Sequence, residues 1–482
     1  MNPTMVIWRS HEDGNCLVCS DGNEWLITKS NRMFVRPCYP VLFQECQANF
    51  EVGLQGIFVL GTPGIGKSAF LEYALNEILN RLQRSVLFLS GVERKARLFT
   101  ADGSMKEQPL VVYRDTPSSQ QNFANEADYV LLDPHEVASQ THEISLSMLR
   151  GKPFIVAMSP DENNCKKLRK DTQGTSLYMG PLSLEEALEM RSACYHNVAS
   201  EELVRSRYGQ IGGIARTLFA RTAAHGFDSA LHRVLEKQTK ALQDIAENPI
   251  RIDGGEVSAQ FKHLWSLYHL QPASPSQSVP QWYSYTIEPC CADLRIRIRN
   301  KLMEKEVRDL WLLFINTMER HGSLRGIRYE AYAHKKILEQ GLNGRAILLT
   351  LNGEGNATKN VVISGGLPTV SLANNDLGAP FQNAVRSALT LDNGAYILPE
   401  SFNFPVIDAL YVSSRERLSL QMKAGRGKPL SGTEANTIYS AIGGCLVFIV
   451  PDESVIRRKV AYAGPGGGPG QWRHYRLVLN EA

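Results

Sequence analysis

Apolar residues along this chain follow two periods, and the switches between them mark its elements. The run IFVL at 57–60 is continuous, as in a strand buried on both faces. A glycine-rich turn follows it. Then comes SAFLEYALNEILNRL, in which Phe70, Leu71, Ala74, Leu75, Ile78 and Leu79 recur at helical spacing. The runs YVLL at 129–132 and FIVAM at 154–158 extend the β-turn-α pattern to about residue 160. Upstream, residues 1–30 read as short β pieces with turns at Asp13-Gly14 and Asp21-Gly22, and 33–50 as a strand end leading into a helix. Downstream, LSLEEALEMRSACY and ALHRVLEKQTKALQDIA predict helices within 180–245. The Pro/Ser-rich stretch 271–286 reads as a linker or long loop. Helices are expected over 296–320 and, after a glycine turn from Gly322 to Gly326, to 340. From 344 onward strands dominate, with one helix near 433–443 and a flexible glycine-rich loop at 464–470. No internal repeat is visible.

Length adds the domain count. At roughly 100–200 residues per domain, 482 residues allow two to four. Hydrophobic residues at 43% and charged residues at 21% exclude a largely disordered chain, a collagen-like chain and a coiled-coil rod. With 52 Lys and Arg against 49 Asp and Glu, the formal charge of +3 neither demands nor forbids nucleic-acid contact. No run approaches the roughly 18–20 apolar residues that span a bilayer. The start MNPTMVIWRSHEDG has no basic segment followed by an apolar one, so no secretory signal is expected. Nine scattered cysteines suit a reducing compartment better than a disulfide scaffold. Cys16 and Cys19, with Cys38 and Cys46, raise zinc, but no second C-x-x-C follows; ordinary thiols are the expectation.

The strongest chemical signal is the turn after the first buried strand. Gly61, Thr62, Pro63, Gly64, Ile65, Gly66, Lys67 and Ser68 meet the Walker A pattern G-x-x-x-x-G-K-[ST] in full, between a strand and a helix. Glycines let backbone approach a phosphate, and the N–H groups at the helix start point at the anion. Lys67 would neutralise the β/γ-phosphates of ATP or GTP, and the Ser68 hydroxyl would hold Mg²⁺. Asp133, closing YVLLD, is the expected second Mg²⁺ ligand. Pro134 follows it where a hydrolytic acid often stands; Glu136 is an alternative from the loop. Ser159-Pro160-Asp161 ends the next strand and could sense the γ-phosphate. Gly212-Gly213-Ile214-Ala215-Arg216 resembles the second sensor of ATPases of the AAA and STAND type, with Arg216 delivering a cation to the nucleotide.

A second signal lies in FPVIDALYVSSRERLSLQMK at 404–423. Two strand patterns flank a turn; Asp408 sits on the first, and Gln421 and Lys423 share one face of the second. This is the shape of the PD-(D/E)xK nuclease core, with Gln in place of the usual second acid. Phosphodiester cleavage with Mg²⁺ needs an acid, an oxygen ligand and a nearby cation, and these three residues fit those roles. Glu330, on a preceding helix with His334 four residues on, would be a further metal ligand. DNA contact would rest on Lys423, Arg426 and Lys428.

Phe34-Val35-Arg36 with Tyr39, then GTPGIGKSAF, Gly-Gly-x-x-Arg, Gly-x-x-Tyr-Glu-x-x-x-His and Asp…Gln-x-Lys, occur in that order. Over roughly 33–455 the chain resembles the Crinkler effectors of oomycetes and fungi and the retrotransposon hot spot proteins of trypanosomes. The resemblance implies a P-loop NTPase fused to a restriction-endonuclease-like domain, acting on DNA inside a host nucleus. Host proteins or further copies of the chain are additional partners under this reading. The LFLAK-type header usual in Crinklers is not visible, and residues 1–32 stand as a β element or divergent header. The basic runs at 166–170 and 457–459 could serve nuclear import. The expected organisation is α/β throughout: a P-loop core over 33–170, a helical extension over 171–250, a helical linker region over 251–320 and a nuclease-like domain over 321–482. Nucleotide binding and slow hydrolysis would alter how the modules dock and so control DNA cleavage.

Overall fold

A computed structural model describes residues 10–19, 24–91, 93, 95–109, 122, 124–134, 149, 151–158, 172, 174–220, 228–247, 268–272, 281–317, 322–350, 353–372, 379–392, 394–399, 407–424, 430–451, 462–463 and 473–479. The chain divides into two compact units: Met1–Gln238 with Asp253–Glu288, and Thr239–Ile252 with Pro289–Ala482.

The first unit opens with a three-stranded antiparallel sheet of β1 (Ser10–Asp13), β2 (Cys16–Cys19) and β3 (Arg32–Phe34), followed by helix α1 (Cys38–Glu51). Its main sheet contains β4 (Gly56–Leu60), β5 (Val86–Ser90), β6 (Lys95–Phe99), β7 (Met105–Pro109), β8 (Tyr129–Asp133), β9 (Phe154–Met158) and β10 (Thr175–Tyr178). Their spatial order is β10-β4-β9-β8-β5-β6-β7. The first five are mutually parallel, and β6 and β7 add on antiparallel. Every residue of β4 and β5 is buried, which explains their unbroken apolar runs. Helix α2 (Lys67–Asn76) follows β4 and shares a core with α1, in which Phe70, Leu71, Ala74 and Leu75 meet Tyr39, Leu42, Phe43 and Cys46. After β10 come α3 (Leu184–Met190), α4 (Glu201–Ile211) and α5 (Ala215–Leu218). Ser183 and Glu186 form a reciprocal capping box on α3, and Ser200 caps α4. Helix α6 (Ser229–Glu247), of which the part to Gln238 belongs to this unit, and the strand pair β11 (Tyr268–Pro272) and β12 (Tyr285–Pro289), which ends at the unit boundary, follow.

The second unit contains helices α7 (Ala292–Leu302), α8 (Val307–Ile315) and α9 (Gly322–Gln340). The single helix expected over 296–320 is two, broken at 303–306. Beyond it run β13 (Leu342–Thr350), β14 (Gly353–Ile363), β15 (Thr369–Leu372), α10 (Ala379–Leu389), β16 (Ala395–Pro399), β17 (Ala409–Val412) and β18 (Arg417–Met422). The short β19 (Leu430–Ser431), α11 (Gly432–Ile442), β20 (Cys445–Val450), β21 (Tyr462–Ala463) and β22 (Arg473–Val478) complete it. Eight strands form one mixed sheet in the order β14-β13-β22-β20-β18-β17-β16-β15. Helix α10 is absent from the sequence reading, although Phe381, Ala384, Val385 and Ala388 carry the helical period. Those residues pack with Ala435, Ile438 and Ile442 of α11 onto Leu410, Val412, Leu446 and Phe448 of the sheet. β17 and β18 form an antiparallel pair, and β18-α11-β20 is a parallel crossover unit.

Candidate functional site

In the first unit β9 lies between β4 and β8, so the carboxyl ends of three parallel strands gather at one sheet edge. Ligands of such sheets bind at that edge. The phosphate loop leaves β4 there, and Gly64 and Gly66 hold φ of +84° and +106°, values that favour glycine. Gly66 has a second reason to be glycine: a Cβ there would lie 2.7 Å from the Tyr39 hydroxyl oxygen. Asp133 ends β8, is 6% exposed, and its Oδ1 accepts from the Ser68 hydroxyl at 2.9 Å. The two expected Mg²⁺ ligands are therefore brought together across the width of β9. The buried Lys67 ammonium donates to the carbonyls of Gly61 (2.7 Å) and Thr62 (2.9 Å) within its own loop.

The Gly-Gly element reaches the same loop. The Arg216 N–H donates to the Gly64 carbonyl at 3.1 Å, and a Cβ on Gly64 would touch Ile214 and Arg216 at 3.0 and 3.2 Å. Gly213 abuts the 182 backbone so closely that a Cβ would lie 2.0 Å from the Leu182 carbonyl oxygen. The Arg216 side chain is exposed and forms no ion pair among the described residues. Glu136, the 159–161 strand end and the basic run 166–170 lie outside the described residues.

Two residues of the quoted Phe-Val-Arg-x-x-Tyr motif had no role in the sequence reading and have one here. The buried Arg36 guanidinium donates to the carbonyls of Ile65, Gly180 and Pro181, each at 3.0 Å, and to both carboxylate oxygens of Glu186 at 3.2 Å. Tyr39 donates its hydroxyl to the Gly66 carbonyl at 2.8 Å. The motif spacing was legible; what it touches was not.

In the second unit, Glu330 lies mid-α9, Asp408 directly before β17, Gln421 on β18 and Lys423 one residue past it. Asp408 N–H donates to the Leu420 carbonyl (2.9 Å), and its Oδ2 accepts from Met422 N–H (2.6 Å). Burial and then the Glu330 charge push the Asp408 carboxyl up, while Lys423 opposes them. Gln421 Oε1 is buried with no hydrogen-bond partner among the described residues. That orphan oxygen is an open acceptor for a cation or a donor.

Arg295 and Arg299 complete this cluster. Arg295 donates to one Glu330 oxygen and Arg299 to the other, both at 3.1 Å. Burial alone would raise the Glu330 carboxyl; the two guanidinium charges outweigh it and hold it low. Arg299 also donates to the Pro399 carbonyl at 3.2 Å. The two arginines are four apart in ADLRIRIRNKL, a helical spacing visible in the sequence. His334 is fully buried against the Tyr396 hydroxyl (2.8 Å), and its Nε2 lies 3.9 Å from Glu330. Burial and Arg299 push its pKa down, so it stands as a neutral packing partner. Among the described residues no group of three or more His, Cys, Asp or Glu side chains could hold a metal ion, at Cys16 and Cys19 or here. Arg426, Lys428 and the run 457–459 lie outside the described residues.

No protein-family profile matches the chain. Crinkler effector proteins 15 and 16 of Phytophthora infestans are similar to it, each 24% identical over 197 residues. The match covers 39% of this chain and 29% of the length of either relative. Among solved structures, AMPPCP-bound DnaA from Aquifex aeolicus overlaps 63% of this chain and 91% of its own at 13% identity, with a TM-score of 0.28. A DNA replication initiation factor overlaps 45% and 70% at 18% identity and a TM-score of 0.25. A Thermotoga maritima RuvB variant overlaps 42% and 62% at 15% identity and a TM-score of 0.23. TM-scores this low carry no argument about the fold. No described helix is long and apolar enough to cross a membrane.

Proposed function

We propose that the chain is a Crinkler-like protein in which an ATP- or GTP-binding NTPase unit accompanies a DNA-cleaving unit of restriction-endonuclease type, acting in a host nucleus. The observation that carries the first half is the 2.9 Å contact between Ser68 and Asp133. A hydroxyl and a carboxylate meeting beside a phosphate loop are the hard oxygen donors Mg²⁺ requires. Mg²⁺, when bound, supplies charge neutralisation on the β/γ-phosphates. Lys67 would exchange its two loop carbonyls for phosphate oxygens. The N–H groups at the start of α2 would face the same anion, and Arg216 is placed to add a cation. No acid is assigned as the hydrolytic base, since Pro134 occupies the place beside Asp133.

The second half rests on Asp408, Gln421 and Lys423 at the β17–β18 pair. The orphan Gln421 oxygen, on the strand whose Met422 N–H holds the Asp408 carboxylate, would join Asp408 in a Mg²⁺ site, with Glu330 as a further ligand and Lys423 as the cation. One observation favours a second reading. Both Glu330 oxygens already face guanidinium groups, and an amide stands where an acid is usual. That pattern suits a nucleotide-switched DNA- or protein-binding module whose nuclease is inactive.

Plasmid nicking by the purified chain with Mg²⁺, with and without ATP, separates the two. Cleavage lost in both Asp408→Asn and Lys423→Ala supports the nuclease. No cleavage by the wild type under any condition leaves the binding module. ATP turnover lost in Lys67→Ala tests the NTPase half independently.

A further inference from the structure

A loop that turns its N–H groups toward a phosphate must turn its carbonyls outward, and buried carbonyls need donors. Five carbonyls of the phosphate loop have them. Lys67 serves those of Gly61 and Thr62, Arg216 N–H that of Gly64, Arg36 that of Ile65 and Tyr39 that of Gly66. Lys67 must leave its two when it turns to a nucleotide. The other three donors come from outside the loop and can stay.

Arg36 is distinct among them. A guanidinium has five N–H donors in a fixed fork, and Nε, Nη1 and Nη2 of Arg36 together make five contacts. One holds the loop at Ile65. The other four hold residues 180 and 181, which lead out of β10, and Glu186 in the first turn of α3. Glu186 is also the capping residue of α3, so the fork grips the helical extension at its root. The guanidinium is planar and buried, and it ties the Ile65 peptide to the 180–186 segment through one rigid group.

We propose that Arg36 and Tyr39 are positioning residues that preset the phosphate loop from its carbonyl side, and that Arg36, unlike Tyr39, also couples the loop's state to the root of the helical extension at α3, beside the separate Gly64–Arg216 contact. The proposal rests on the nucleotide reading of the loop.

The test titrates the chain with fluorescent ATP and follows hydrogen exchange over residues 184–211 at saturating ATP, a window that leaves out Arg216 and its direct bond to Gly64. Lys67→Ala should lose binding; if it binds like wild type, the nucleotide reading falls and takes this proposal with it. With that control in place, Tyr39→Phe should bind about three- to tenfold more weakly yet keep the ATP-induced change in exchange, because the hydroxyl it removes donates to the Gly66 carbonyl of the loop and the ring stays in its core. Arg36→Lys keeps the charge but not the fork, so it should bind about tenfold more weakly and lose that change even at saturation. Glu186→Gln preserves the capping box, which accepts Gln, and decides the matter if Arg36→Lys does not fold. It should bind ATP nearly as wild type while at least halving the exchange response. A normal response in Arg36→Lys, or in Glu186→Gln, overturns the coupling while leaving the nucleotide reading intact. General destabilisation would affect Tyr39→Phe and Arg36→Lys alike, and that parallel loss would also refute the proposal.

Discussion

Replacing Gly66 by alanine perturbs one atom with two consequences. The residue sits at φ +106°, ψ +16°, where an L side chain is strained by about 1–3 kcal/mol. The new Cβ would also lie 2.7 Å from the Tyr39 hydroxyl oxygen, inside any ordinary contact. Relieving that clash moves the hydroxyl off the Gly66 carbonyl and forfeits a hydrogen bond worth about 1 kcal/mol. Together the two come to about 2–4 kcal/mol, or about 30- to 1,000-fold in an equilibrium constant. The cost divides between global stability and nucleotide affinity, according to how far the empty loop can relax. The assay therefore pairs chemical denaturation with ATP titration and sums the two losses. Tyr39→Phe in the Gly66→Ala background deletes a hydrogen bond the clash has already forfeited, so it should cost nothing further. In the wild-type background the same change should cost about 1 kcal/mol. That loss of additivity is the decisive result. A combined loss under about 1 kcal/mol in Gly66→Ala, or a double variant about 1 kcal/mol worse than Gly66→Ala, refutes the reasoning.

Other consequences can be measured separately. Burial raises the Glu72 carboxyl to about 8 against the opposing N–H groups of Ile27 and Thr28, whereas the unfolded group titrates near 4.5. Between those values the folded state keeps a proton the unfolded state has lost, so stability falls as pH rises, by up to about 1.4 kcal/mol per pH unit. Glu72→Gln should flatten that slope between pH 5 and 8 in urea denaturation; parallel slopes in both proteins would contradict it. Glu330→Ala strands Arg299, whose side chain is 6% exposed, and should cost about 3–5 kcal/mol in a thermal melt. Lys423→Ala should stay within about 1 kcal/mol, which makes it the cleaner probe of cleavage. Equal losses in the two would mean the Arg-Glu cluster is not holding α7 to α9. Gly213→Ala should cost about 1–3 kcal/mol, seen first as faster hydrogen exchange over 201–218, because its Cβ meets the Leu182 backbone rather than a side chain that can turn aside. Unchanged exchange there would show that the 182–213 contact is loose.

The chain's one-dimensional pattern determined the parts whose chemistry is local. A strand, a glycine turn and a helix are adjacent in sequence, so G-x-x-x-x-G-K-S carries its own structural context and was legible at once. Asp133 was legible because a buried parallel strand ends in an acid. Helix α10 carries an equally local signal in Phe381, Ala384, Val385 and Ala388, short enough to be masked by the strand patterns on either side. What the tertiary structure decided is which distant groups share a carbonyl or a charge. The Arg36 fork spans 150 residues to reach Glu186, and Arg299 spans 31 to reach Glu330 and 100 to reach Pro399. Nothing in the local spacing of an arginine says which carboxylate it will neutralise, because that choice belongs to desolvation and packing and not to propensity. The same holds for Gln421: its place on the strand is a matter of alternation, while its orphaned oxygen exists only because the folded sheet buries it.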